Sequence, residues 1–233
     1  MSSEKKFYIK HYEKIELRNE PDFSTEYKNK GHRYYCIYDY LKKPQGYSAI
    51  EWGCGPLAKM SYLSSIFGDF CVVDIAASIL LKNEGINEET IPFNLFDCNL
   101  NENLAFHDKS FDVVIAMMVI EHLFDPFHSF REAARICKDD GVIFINLPLV
   151  TSVKNRLRLL FGKLPKTSSQ NWEVLEEWDG GHLHYFTIDK VRWLGEKYGL
   201  RLVKIYPVGR FFGLKKLFKS LLCNEVSFVF IKN

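Results

Sequence analysis

The sequence predicts an α/β fold, a doubly wound sheet with helices on both faces. Three observations carry this. Apolar, β-branched runs alternate with helix-period segments from about residue 48 onward. Most of those runs are continuously apolar, as strands buried on both faces are. The first of them ends in a glycine turn that opens a helix, the place where such sheets bind ligands.

The elements follow in order. Residues 1–43, rich in Tyr and Lys, read as a helical lid, with Tyr8, Tyr12, Tyr27, Tyr34 and Tyr35 either shutting water out of a site or packing on the core. Ser48–Trp52 is the first strand run, and a helix is expected at about 57–67. Phe70–Ile75 and a helix at about 75–83 come next, then the runs Ile91–Phe96 and Phe111–Met117. A helix at 126–137 precedes the run Gly141–Leu147. Residues 149–183 then interrupt the alternation. Insertions of that length in a compact domain are usually functional, and this one falls at the carboxyl ends of the strands. A helix is expected at 187–198, with Thr187 as its N-cap and Gly199 as its stop. Leu200–Val208 and Val226–Ile231 complete the sheet.

Composition bounds the function. The chain has 233 residues, enough for a full core without disulfide or metal staples. Hydrophobic residues are 47% and charged residues 26%, which excludes a disordered or fibrous chain. The net charge of +2 does not argue for nucleic acid, but it is uneven. Residues 1–150 hold 16 Lys/Arg and 22 Asp/Glu; residues 151–233 hold 15 and 7. The basic C-terminal third is expected to face something anionic. The six cysteines are scattered, without CxxC or zinc-ligand spacing, which suits a reducing compartment. The N-terminus is charged, and no stretch of 18 apolar residues exists, so a cytoplasmic protein is expected.

The glycine turn is Glu51-Trp52-Gly53-Cys54-Gly55-Pro56. Gly53, Gly55 and Ala58 satisfy the dinucleotide spacing GxGxxA, and Asp74 follows 19 residues after Gly55, so an NAD-dependent oxidoreductase stands as one reading. Three features oppose it. Glu51 places a carboxylate where a pyrophosphate would be repelled and a cation attracted. Pro56 removes a backbone N–H from the turn. Asp97 ends the third strand run, giving one carboxylate after each of three runs. A nucleoside with hydroxyls, an exocyclic amine and a positively charged tail uses all three.

EWGCG, VVDIAAS, FNLFDCN and SFDVVIAMMVIEHLFDP, in that order, resemble the successive motifs of class I S-adenosylmethionine-dependent methyltransferases, and GVIFINLP and GGHLHYFT extend the match. The resemblance covers about residues 48–206 and is nearest to small-molecule O-methyltransferases of the ubiquinone-biosynthesis and bacterial glycan-tailoring kind. It implies a Rossmann-like seven-stranded sheet in the order 3-2-1-4-5-7-6 with the last strand antiparallel. It implies one methyltransferase domain over 1–233: a lid at 1–43, a cofactor half at 48–148 and an acceptor half at 149–233. By position, Glu51 is expected near the methionyl amino group, with Gly53 and Gly55 against the cofactor. Asp74 is expected at the ribose hydroxyls, Ile75 on the adenine face, Asp97 and the Cys98 backbone at the adenine amine, and Met117 and Met118 at the methionine end.

The expected reaction is methyl transfer to a hydroxyl of a small molecule, with a sugar or surface-glycan precursor first. N-methylation of an amine or amide and a non-catalytic cofactor-binding partner are the alternatives. A hydroxyl acceptor benefits from a general base, and His is the usual one near neutral pH. His122, His182 and His184 are the candidates, each with a scaffold role as the competing account. Arg156, Arg158, Lys163 and Lys166 are candidates for an acceptor phosphate. Residues 211–222 mix apolar and Lys residues and read as an interfacial helix on anionic lipid or as a helix packed on the sheet. Nucleic acid is not expected as a substrate, because no Asn/Asp-Pro-Pro-aromatic run follows the fourth strand. No Asp pair with metal-ligand geometry is evident, and no metal is expected.

Overall fold

The computed structural model describes residues 5, 6, 8, 23–55, 57–85, 87–169, 176 and 178–233; Tyr12 and Pro56, named above, lie outside them. The strands are β1 (Ser48–Trp52), β2 (Asp69–Asp74), β3 (Asn94–Asp97), β4 (Phe111–Met117), β5 (Cys137–Pro148), β6 (Leu200–Pro207) and β7 (Glu225–Lys232). They form one sheet in the order β3-β2-β1-β4-β5-β7-β6. β1 to β5 pair in parallel, and β7 runs antiparallel to both β5 and β6. This is the topology the resemblance implied.

Neighbouring residues along each strand face opposite layers. Ile50, Trp52, Val114, Ala116, Ile143 and Ile145 share one core with helices α5 (Pro126–Ile136) and α7 (Ile188–Lys197). Ala49, Val72, Val113, Ile115 and Phe144 share the other with α3 (Leu57–Phe67), α4 (Ala77–Glu84) and the short helices α1 (Phe23–Glu26) and α2 (Tyr35–Leu41). Tyr27, Tyr34 and Tyr35 are therefore core residues under the sheet, whereas Tyr8 reaches the strand ends. The cause is composition: the 23–37 segment supplies Phe23, Tyr27, Tyr34 and Ile37, more apolar surface than an open lid can leave in water.

Local chemistry sets the helix ends. Asp125 accepts from Phe127 N at 2.8 Å ahead of Pro126, and Thr187 accepts from Lys190 N, as its N-cap position predicts. Gly199, at φ +75°, ends α7 at the expected place. Elsewhere the boundaries differ from the expected ones for local reasons. β3 starts at Asn94 because a 3-10 turn at Glu88–Thr90 and then Pro92 occupy its expected beginning. β5 starts at Cys137, which pairs with Phe111 before the register shifts. Residues 211–222 form two short helices, α8 (Phe212–Leu217) and α9 (Lys219–Leu222), broken at Phe218 where ψ is 55°. The insertion contains α6 (Val153–Leu160), between β5 and α7. Among the described residues no helix is long and apolar enough to cross a membrane.

Gly195 lets α7 lie flush on the sheet: a Cβ there would sit 2.3 Å from Cε1 of Phe230, a fully buried ring. Gly195→Ala is expected to lower stability by about 1–3 kcal/mol through overpacking. The readout is a lower urea midpoint at unchanged slope; an unchanged midpoint would mean that the ring yields without cost.

Candidate functional site

Parallel strands end on one edge of the sheet, and that edge collects the polar residues. Gly53 and Gly55 take φ +71° and +57°, which an L side chain adopts only at a cost. A Cβ on Gly53 would also stand 3.0 Å from Cγ2 of Val119. Asp74, at the end of β2, ties the turn down. Its Oδ2 accepts from Cys54 N at 3.0 Å and its Oδ1 from Ala76 N at 2.8 Å. Burial raises the Asp74 pKa, and those two amides oppose the rise. Cys98 N donates to the Asp74 carbonyl at 3.1 Å, joining the third strand end to the second.

Glu51 is fully buried at the end of β1. Its Oε1 accepts from the Tyr34 hydroxyl at 2.6 Å, while its Oε2 has no hydrogen-bond partner among the described residues. Burial pushes this carboxyl up to about 7, against the opposing pull of Lys59 and Tyr34. A buried carboxylate one donor short is a receptor for a cation. Asp97 ends β3 and forms an ion pair with Lys5; Tyr8 packs on Ile75 and Ala76 and donates to the His122 carbonyl at 2.7 Å. Thus Glu51, Gly53, Gly55, Asp74, Ile75, Asp97 and Cys98 line one edge. Met117 and Met118 part company. Met117 packs into the core, whereas Met118, at φ +59°, turns into a cavity.

That cavity, of about 620 Å³, lies beyond the end of β4, and its walls include Arg33, Met118, His122, Lys154, Lys166 and His182. The insertion forms one wall and is held by Asp179, which is buried at φ +45°. The Asp179 carboxylate accepts from the backbone amides of Thr167 and Ser168 and from the Thr167 hydroxyl. Leu183 N then donates to the Glu121 carbonyl at 2.8 Å, which brings His182 against Glu121 and His122. The two imidazoles lie 4.7 Å apart, edge to face. His122 Nδ1 is 3.0 Å from the Gly181 carbonyl, and His182 Nδ1 is 2.7 Å from the Thr167 hydroxyl. Glu121 is fully buried, neither carboxylate oxygen has a hydrogen-bond partner among the described residues, and burial pushes it up to about 8.

The structure joins His122 and His182 and leaves His184 apart: its Nε2 faces the Phe124 carbonyl at 3.2 Å, and it does not line the cavity. Of the four basic insertion residues singled out in the sequence, Lys166 lines the cavity. Arg156 and Arg158 instead donate to the Thr151 and Leu164 carbonyls. Sequence reasoning passed over Glu121, Arg33, Lys154, Thr167 and Asp179. Only Asp179 carried a signal, because Asp-Gly-Gly marks a tight turn.

The family model described as a methyltransferase domain matches residues 27–205. No curated protein sequence matches the chain. Among solved structures, an S-adenosylmethionine-dependent methyltransferase from Mesorhizobium loti is similar at TM-score 0.60 and 10% identity, over 86% of this chain and 97% of that one. A methyltransferase from Thermotoga maritima is similar at TM-score 0.58 and 14% identity over the whole of both chains. The [4+2]-cyclase SpnF is similar at 0.57 and 11% identity, over 84% of this chain and 79% of that one, so these likenesses show the fold and not the reaction.

The Glu51 environment fixes a pH dependence. Its folded pKa of about 7 lies above the ordinary 4.5. The protonated form therefore favours the folded state, and this contribution is fully present below pH 4.5 and lost as pH rises through about 7. Glu51→Gln keeps the Tyr34 contact and removes the titration. Its melting temperature is expected to exceed the parent's at pH 8 and to match it near pH 4.5. An equal offset at both pH values would refute the assignment.

Proposed function

The chain belongs to the family of methyltransferase domains, and from that premise we propose that it methylates a hydroxyl of a small anionic molecule, a phosphorylated or lipid-linked sugar. S-adenosylmethionine, the cofactor, supplies a sulfonium methyl whose leaving group is a neutral thioether. The observation that carries the reading is the partnerless buried Oε2 of Glu51 beside the glycine turn. It suits the amino group of a cationic cofactor and opposes the pyrophosphate of a nicotinamide one. The turn fits as well, since a side chain on Gly53 would fill the space against Val119. Asp74 and Asp97 are then the acceptors for the ribose hydroxyls and, with the Cys98 backbone, for the adenine amine. Ile75 covers the ring, and Met118 meets the methionine end.

The cavity beside Met118 is the acceptor site in this reading. Lys154 and Lys166 supply charge for a phosphate. His122 and His182 act on the hydroxyl, held in place by Gly181 and by Thr167 with Asp179. The protein's part is alignment and exclusion of water, because the methyl is already electrophilic.

Calorimetry is expected to show binding of S-adenosylmethionine and none of NAD. Asp74→Ala should weaken the former by roughly tenfold to a hundredfold, the worth of a hydrogen bond to a charged group. In methyl-transfer assays on phosphorylated sugars, His122→Ala and His182→Ala should each lower turnover by about 10²–10⁴-fold, while His184→Ala stays near the parent. NAD binding, or full turnover in both cavity variants, would sink the reading.

A lipid-linked acceptor gives the basic C-terminal third a use. Leu160, Phe161, Phe211, Leu217 and Phe218 are exposed on α6, α8 and their flanks, with Lys163, Lys216 and Lys219 nearby in sequence. The Ser220 and Thr151 hydroxyls, 3.2 Å apart, tie the two segments together. The chain is expected to co-sediment with phosphatidylglycerol vesicles and not with phosphatidylcholine ones, and Lys163→Glu with Lys216→Glu should release it. Equal sedimentation with both lipids would remove the electrostatic part of this account.

A further inference from the structure

Methyl transfer as described leaves one thing unexplained, a fully buried carboxyl group beside two imidazoles whose oxygens have no hydrogen-bond partner among the described residues. We propose that Glu121, His122 and His182 bind one divalent transition-metal ion, of the zinc or manganese kind, at the inner wall of the acceptor cavity. The ion site stands on its own geometry; its use, to draw charge from the acceptor hydroxyl, rests on the methyl-transfer reading, with His122 and His182 then acting on the hydroxyl through the ion and not as proton acceptors.

Each of the three residues offers a ligand atom within 4.8 Å of the other two. Ligands held at about 2.1 Å from one ion stand roughly 3.0–3.5 Å apart, so small side-chain rotations complete the shell. Glu121 makes the case for a cation. It is fully buried, and neither oxygen has a hydrogen-bond partner among the described residues. Isolated carboxylates are not kept out of water without a cation or a proton.

The histidines are prepared in the way metal-binding imidazoles are. His122 Nδ1 faces the Gly181 carbonyl, which only accepts, so that nitrogen carries the proton and the lone pair is on Nε2. His182 Nδ1 faces the Thr167 hydroxyl, whose proton goes to Asp179, which puts the His182 lone pair on Nε2 as well. His182 Nε2 lies 4.0 Å from Glu121 Oε1. A carboxylate or carbonyl behind each ligating imidazole fixes its tautomer and raises its basicity. Two imidazoles and one carboxylate suit zinc, manganese or ferrous iron better than magnesium or calcium. His122 and His182 line the cavity and Glu121 is buried beside them, so the remaining positions open toward the acceptor. There the acceptor oxygen bonds to the methyl carbon as the carbon–sulfur pair returns to sulfur, and the hydroxyl proton, made more acidic by the ion, leaves to water.

The test uses chelator-stripped protein and the metals alone. Mn²⁺ titration, followed by the electron paramagnetic resonance signal of the free ion, should show one site per chain. Elemental analysis after Zn²⁺ dialysis should show the same stoichiometry, and Mn²⁺ should raise the melting temperature. Glu121→Gln and His182→Ala should each weaken Mn²⁺ binding at least tenfold, with His184→Ala unchanged. Glu121→Gln keeps the side-chain volume and removes a buried charge, so the variant remains folded. No uptake of either ion, or equal Mn²⁺ uptake by the parent and both ligand variants, would overturn the site. Cofactor titration of the same samples separates the two ideas. S-adenosylmethionine binding without metal binding defeats this inference alone, and metal binding without cofactor binding defeats the transfer reading alone. Binding of neither defeats both.

Discussion

The strand-to-strand hydrogen bonding of a parallel sheet buried on both faces is the constraint from which the rest follows. Beyond their first one or two residues, β1, β2 and β4 are buried on both faces, so their amides and carbonyls pair with one another. Parallel pairing then sends every carboxyl end to the same edge. Polar groups that the interior rejects collect there, and loops leaving five strands must cross the same strip. Glu51, Asp74, Asp97, Met118 and the start of the insertion are neighbours for that reason and not through any affinity for one another.

Two kinds of buried carboxylate result. Asp74 and Asp179 each accept from two backbone amides and each close a loop. Glu51 and Glu121 are under-used, and burial drives both pKa values upward. The first kind stabilises the loops; the second holds unmet electrostatic demand in place at some cost to stability. Sites that bind cations are built from the second kind, supported by the first.

The sheet was readable in the sequence because apolar runs and glycine stops are local signals. The glycine turn and the carboxylates at the strand ends were readable for the same reason: Glu51 to Gly55, Asp74 and Asp97 each sit at the end of a run. The cavity was not. Glu121 meets His182 through the Leu183–Glu121 and His122–Gly181 contacts, between segments some sixty residues apart, which no periodicity encodes. His182 and His184 stand two residues apart in GGHLHYFT, yet His182 lines the cavity while His184 faces the Phe124 carbonyl. The N-terminal tyrosines left two roles open, a cover over a site or packing on the core, and most of the described ones fill the layer beneath β1.

β7 is the last strand in the chain but lies between β5 and β6 in the sheet. It also begins with Glu225, which pairs with Arg33 and lines the cavity. During synthesis, β5 therefore waits with an open edge, and β6 has no neighbour at all, until residues 225–232 leave the ribosome. The wall of the cavity and the closing strand arrive together. A growing chain thus stays without a finished pocket, and exposed to edge-to-edge pairing with other nascent chains, until β7 has emerged.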